Sequence, residues 1–259
     1  MSNRLSPAVG LLVRATAAIM ALVVPIIFAE AATASPEDLR SKPDLSAPDL
    51  AKGVEAMKRG SDYLAFAIFE PYAERGNPVA EANLANLYLR GRGTEKNPQV
   101  ARLLFETAAM RGLPLAYGQL GALYQQGEGA PADPKLALDW YRRGAAAGDS
   151  VSLFGLGLMY QNGLGVRADL LQAAKWYRMA AARGHARAKF VLGVMHFQGQ
   201  GVAKNLIEAY KWFALAQAAL PPGLDRDRSA KAASLIEASL PHNELEAARA
   251  SARSWKPEE

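Results

Sequence analysis

Apolar residues along most of this chain step by three and four, the spacing that places them on one face of an α-helix. One such segment carries Leu115, Leu120, Leu123 and Tyr124, and the next carries Val151, Phe154, Leu158 and Tyr160. Each segment stops at a pair of glycines, as in Gly127-Glu128-Gly129, and a second amphipathic segment follows. That second segment opens on Asn97, Asp133, Asp169 or Asn205, short polar residues whose side-chain oxygen accepts from a free backbone N–H at a helix start. Pro98 and Pro134 come directly after, at the one helical position that tolerates proline. The pattern predicts helix A, a glycine turn, helix B, and a second glycine turn.

The pattern also repeats. Tyr88, Tyr124 and Tyr160 lie 36 residues apart, as do Gly91, Gly127, Gly163 and Gly199. The same interval separates Ala101, Ala137, Ala173 and Ala209, and separates Trp140, Trp176 and Trp212. Self-similarity at a fixed period is the signature of a repeat array, which offers a long surface in place of a central pocket. Four units result: Pro78–Leu113, Pro114–Asp149, Ser150–His185 and Ala186–Pro221. Residues 49–77 read as a shortened helical pair that caps the first unit, and residues 222–259 as two amphipathic helices, split by Pro241, that cap the last.

The order L-G-x-x-Y-x-x-G-x-G-V-x-x-D, followed by A-x-K-W-Y and A-A-x-x-G, resembles the Sel1-like repeat family. The third unit carries it most fully, in Leu156-Gly157, Tyr160, Gly163, Gly165-Val166, Asp169, Ala173, Lys175-Trp176-Tyr177 and Gly184. The first unit departs at Ala85, Thr94, Asn97 and Leu104, the fourth at His196 and Asn205. The resemblance implies an all-α fold, a right-handed alpha-alpha superhelix of TPR-like helical hairpins. It also implies adaptor work in signalling or envelope assembly. In size, leader, repeat number and helical tail the chain is similar to periplasmic Sel1 regulators of exopolysaccharide synthesis, which bind the sensor domain of a membrane histidine kinase.

The N-terminus bears on location. Arg4 and Arg14 flank the start, Ala15–Phe28 is uncharged and apolar, and the small-residue triplets Ala29-Glu30-Ala31 and Ala32-Thr33-Ala34 follow. This reads as a secretory signal over residues 1–31, cut after Ala31 or Ala34, with periplasmic export the expectation. An uncleaved signal anchor is the alternative. Residues 32–48 read as a flexible linker. Without residues 1–31 the chain keeps 28 basic and 24 acidic groups, an excess read as spread along the chain. No Lys/Arg run points to nucleic acid, and membrane contact is expected only through a partner or an uncleaved signal.

Chemistry finds little footing. With no cysteine there is no disulfide, thiolate zinc site or cysteine nucleophile. The glycine pairs follow helices, where a phosphate loop follows a strand. His185, His196 and His242 lack the spacing of a helical metal site, and no S-x-x-K or G-x-S-x-G occurs. The expectation is a non-catalytic protein that needs no cofactor and holds a partner protein or peptide, such as a sensor-kinase ectodomain, in a concave groove. An envelope hydrolase or cell-wall-binding protein is the alternative, and a structural clamp within an envelope complex a third reading. Leu84, Leu120, Leu156 and Leu192 pack inward, so positions two before and two after them face the groove, and so does the pair of positions one turn later. Its apolar half gives the candidate partner-binding residues Phe154, Leu158, Gln161, Asn162, Phe190, Val194, Phe197 and Gln198. The C-terminal helices, with Leu235, Ile236, Leu240, Leu245 and Trp255, could instead fill that groove themselves.

Overall fold

A computed structural model describes residues 48–257. The expected signal over 1–31, and all of the 32–48 linker but its last residue, lie outside the described residues. Twelve helices and no strand occur among the described residues: α1 (Pro48–Lys58), α2 (Asp62–Glu74), α3 (Pro78–Arg90), α4 (Pro98–Met110), α5 (Pro114–Gln126), α6 (Pro134–Ala146), α7 (Ser150–Asn162), α8 (Leu170–Ala182), α9 (Ala186–Gln198), α10 (Leu206–Ala219), α11 (Leu224–Glu237) and α12 (His242–Ser254). The fold is the all-α solenoid that the sequence led us to expect. Helices α3 to α10 are four successive A–B hairpins, and each helix packs mainly on its neighbours in the chain.

The helix starts follow local chemistry. Asn97, Asp133, Asp169 and Asn205 each accept backbone N–H bonds from the first turn of helix B. Helix A is capped less uniformly. Asn77, Asp149 and His185 cap α3, α7 and α9 with their side chains, whereas Leu113 leaves α5 to start on Pro114 without one. Helix A of every repeat ends on a left-handed glycine, Gly91, Gly127, Gly163 or Gly199.

The core forms where small residues of helix A receive rings from helix B. A β-carbon on Gly121 would lie 2.5 Å from the Tyr141 ring, and one on Gly155 would run into the same ring. Tyr141 is thus clasped between helix A of its own repeat and helix A of the next, and α5 and α7 touch directly. Gly157 against Tyr177 and Gly193 against Phe213 repeat the first half of this clasp. That accounts for the leucine–glycine pair of the motif: leucine fills the core and glycine admits the ring. Phe105, Tyr177, Leu120, Leu156 and Leu192 are fully buried as a result.

The ends differ from the repeats and from each other. α2 takes the place of a helix B, burying Ala65 and Phe69 at the slots of Ala101 and Phe105. At the other end α11 and α12 each pack on α10 and hardly on each other. Glu237 joins the three, accepting from Tyr210 Oη at 2.7 Å and from Arg249 Nη2 at 3.0 Å. These two donors, Tyr210 first, hold the Glu237 carboxyl below its ordinary range. Trp255 then lies edge-on to Trp212, with centroids 5.9 Å apart, and the Lys189 ammonium sits 4.6 Å from its ring centre.

Candidate partner-binding face

The eight candidates divide by burial. Phe154 on α7 is half-buried. Its ring stacks on His185 with centroids 4.4 Å apart and leans on Tyr177 at 5.4 Å. Leu158, one turn on, is half-buried against the same cluster of Leu153, Tyr177 and Leu192. Phe190 and Val194 on α9 are half-buried against a different cluster, which includes Phe213 of α10, Ala233 and Ile236 of α11, and Ala248 of α12. The C-terminal helices therefore share a core with Phe190 and Val194. Gln161, Asn162, Phe197 and Gln198 are exposed, and they occupy matching positions at the ends of α7 and α9. Phe197 is 44% accessible, the one candidate with a large exposed apolar side chain.

Two of the polar candidates also serve the fold. Gln161 Oε1 accepts from Tyr177 Oη at 2.6 Å, and Gln125 accepts from Tyr141 at 2.9 Å. Burial pushes both tyrosine hydroxyls well above their ordinary range, so they stay protonated donors. Asn162 Nδ2 donates to the Leu158 carbonyl at 3.1 Å. In the first repeat the same two slots hold Leu89 and Phe105, and in the fourth Phe197 and Phe213. Glutamine thus accompanies tyrosine, and an apolar residue accompanies phenylalanine. A buried hydroxyl needs a partner and a buried phenyl does not. Lining up positions 89, 125, 161 and 197 against 105, 141, 177 and 213 would have exposed this pairing in the sequence.

His185 is structural in this arrangement. His185 Nδ1 accepts from the Ala188 N–H at 3.2 Å, capping α9 while its ring covers Phe154. Burial first, and the nearby Arg187 charge second, push its pKa down to about 4. A protonated Nδ1 cannot accept, so the cap exists only in the neutral form. The folded pKa lies below the ordinary 6.5, so the unfolded chain binds the proton more readily and stability falls as pH drops from about 6.5 towards 4. His185→Asn keeps an accepting cap without a titrating group. The expected result is a Tm that falls less between pH 7 and pH 5 than in the unaltered protein, and equal slopes would rule the mechanism out. His196 is also buried, and burial again lowers its pKa. Among the described residues no group of three or more His, Cys, Asp or Glu is placed to hold a metal ion.

The Sel1 repeat family model matches residues 78–113, 114–149, 150–185 and 186–216, just over half of the chain. The chain belongs to the Sel1 repeat family. Sel1 repeats generally mediate protein–protein interaction, and the fold is typically a non-enzymatic scaffold. Among solved structures, this Sel1 array is similar to c5321, a protective antigen of uropathogenic Escherichia coli displaying an SLR fold, with 28% identity and a TM-score of 0.66. That match covers 79% of this chain and 44% of the antigen, so the chain spans less than half of the antigen's length. A Sel1 repeat protein from Oxalobacter formigenes matches at 26% identity and a TM-score of 0.55, covering 76% of this chain and 88% of that one. The immunity protein Pa5087 of Pseudomonas aeruginosa shares the fold at 21% identity and a TM-score of 0.52, over 76% of this chain and 85% of its own. No curated protein matches the Sel1 array significantly.

Proposed function

We propose that this Sel1 protein is a non-catalytic scaffold of the bacterial periplasm, which holds a partner protein or peptide on its helix-A face and modulates an envelope sensor kinase through that contact. The observation that carries the reading is the strip formed by Gln161 and Asn162 on α7 and Phe197 and Gln198 on α9. All four are exposed at equivalent repeat positions, with half-buried Leu158 and Val194 one turn before them. An exposed phenylalanine among amide side chains suits a peptide, whose backbone takes hydrogen bonds and whose apolar side chain takes the ring. The apolar N-terminal stretch followed by two A-x-A sites supports export. A sensor-kinase partner is favoured by the resemblance in size, repeat number and helical tail to periplasmic regulators of that kind.

The test is in-cell photocrosslinking from a reporter placed at Gln198, followed by identification of the bound protein. A sensor-kinase ectodomain is the expected partner, and Phe197→Glu should remove at least nine-tenths of the crosslink while the protein stays folded, with its helical circular dichroism unchanged. Phe197 is the better probe because it is exposed; Phe154→Glu would put a carboxylate among His185 and Tyr177 and disturb the fold itself. Recovery of only cell-wall enzymes or glycan would overturn the proposal and favour the cell-wall reading.

A further inference from the structure

The positive charge of this chain is concentrated, which corrects the reading of a charge spread along it. Residues 135–204 hold ten Lys/Arg and three Asp, whereas residues 48–134 hold nine basic and ten acidic groups and residues 205–257 hold seven and six. No basic run betrays this, because cations on successive B helices stand a whole repeat apart in sequence. Two of the three aspartates, Asp149 and Asp169, are tied to helix starts as caps, and the third, Asp139, pairs with Arg142 at 3.5 Å.

The outward side of α6 and α8 collects this charge. Equivalent repeat positions face the same side, and the pairs Lys135 with Leu171, Asp139 with Lys175, Arg142 with Arg178 and Arg143 with Met179 are all exposed. Among the described residues Lys135, Lys175 and Arg178 make no ion pair. Leu171 is 65% accessible and Met179 49%, values that burial in this stack would have lowered had the fold needed them inside. On α8 the stripe Leu171, Lys175, Arg178, Met179 sets two cationic side chains between two apolar ones over about 12 Å.

We propose that this face of α6 and α8 docks on a membrane surface bearing anionic phospholipid. Anionic headgroups match the unpaired cations, and the long Lys and Arg stems reach up to them while Leu171 and Met179 enter the interface between them. A protein partner fits the pattern less well, because protein interfaces gather apolar residues in a core depleted of lysine and keep charge at the rim. The site is separate from the helix-A strip, so a partner on one face leaves the other free.

The experiment uses the full chain, which has no cysteine of its own, with an environment-sensitive dye on Ala182→Cys of α8 and, as reference, on Lys58→Cys of α1. Vesicles of phosphatidylglycerol mixed equally with phosphatidylcholine are compared with pure phosphatidylcholine. Anchoring by the N-terminal apolar stretch occurs on both vesicles, and only docking of α8 shifts the α8 dye. The expected result is a blue shift at Ala182→Cys on the anionic vesicles alone, lost at high salt. Lys175→Glu with Arg178→Glu should weaken binding by about thirtyfold or more. Leu171→Gln with Met179→Gln should abolish the shift with no change of charge. No shift on anionic vesicles overturns the proposal. Equal binding of soluble polyglutamate, indifferent to the Leu171 and Met179 changes, overturns it in favour of an acidic macromolecule.

Discussion

Gly165→Ala is expected to destabilise the array by about 3 kcal/mol, whereas Gly163→Ala, two residues earlier, should cost only about 1. Both glycines are left-handed, with φ of +67° and +68°, so the backbone penalty for an L-residue is the same. They differ in what an added methyl would meet. At Gly163 nothing lies nearer than 3.4 Å, an ordinary contact with Ala168. At Gly165 the methyl would stand 2.6 Å from the Pro134 carbonyl oxygen and 2.9 Å from its carbon, in the first turn of the preceding helix B. A side chain could rotate away, but main chain held in a helix cannot, so overpacking adds to the conformational cost. Hydrogen exchange of α6 and α8 amides checks this, because unfolding of repeat arrays is local. Equal losses at the two positions would refute the close approach between repeats.

Gln161→Leu is expected to cost about 2 kcal/mol, and Tyr177→Phe added to it should restore most of that loss. Tyr177 is fully buried and its hydroxyl donates to Gln161, so removing the acceptor strands a buried donor. Tyr177→Phe alone should cost less, about 1 kcal/mol, because the exposed Gln161 amide turns to water. The double variant recreates a pairing the chain already carries in its first and fourth repeats, where Leu89 and Phe105, and Phe197 and Phe213, occupy these two positions. A double-mutant cycle by denaturant unfolding measures the coupling, and additive single effects would sink the pairing. The double variant also isolates function from stability at Gln161. If the fold recovers and partner crosslinking does not, the amide itself reads the partner.

The fold was legible because its determinants are local. Asn97, Asp133, Asp169 and Asn205 start their helices by bonds within three residues, and Gly127 or Gly163 ends a helix by its own conformation. Periodicity then told which side of helix A points away from Leu156 and Leu192. It could not tell what the next element lays over that side. Phe154 is covered by His185, a residue 31 positions on, whose capping bond fixes the ring in place. Phe190 and Val194 share a core with α11 and α12, whose amphipathic pattern was plain but whose common seat on α10 was not. Exposure of Phe197 and Gln198 follows from the same arrangement, which no reading of helix A by itself supplies.

The contact at Gly165 recurs at Gly93 against Asp62, at Gly129 against Pro98 and at Gly201 against Leu170, so each turn seats on the backbone of the preceding helix B. Spacing from one repeat to the next is therefore set by main chain touching main chain. Side chains on the outer faces can drift without stretching or compressing the stack. The array works as a ruler of fixed gradation: its markings, cationic in one stretch and amide-lined in another, are free to be rewritten, while the distance between them is not.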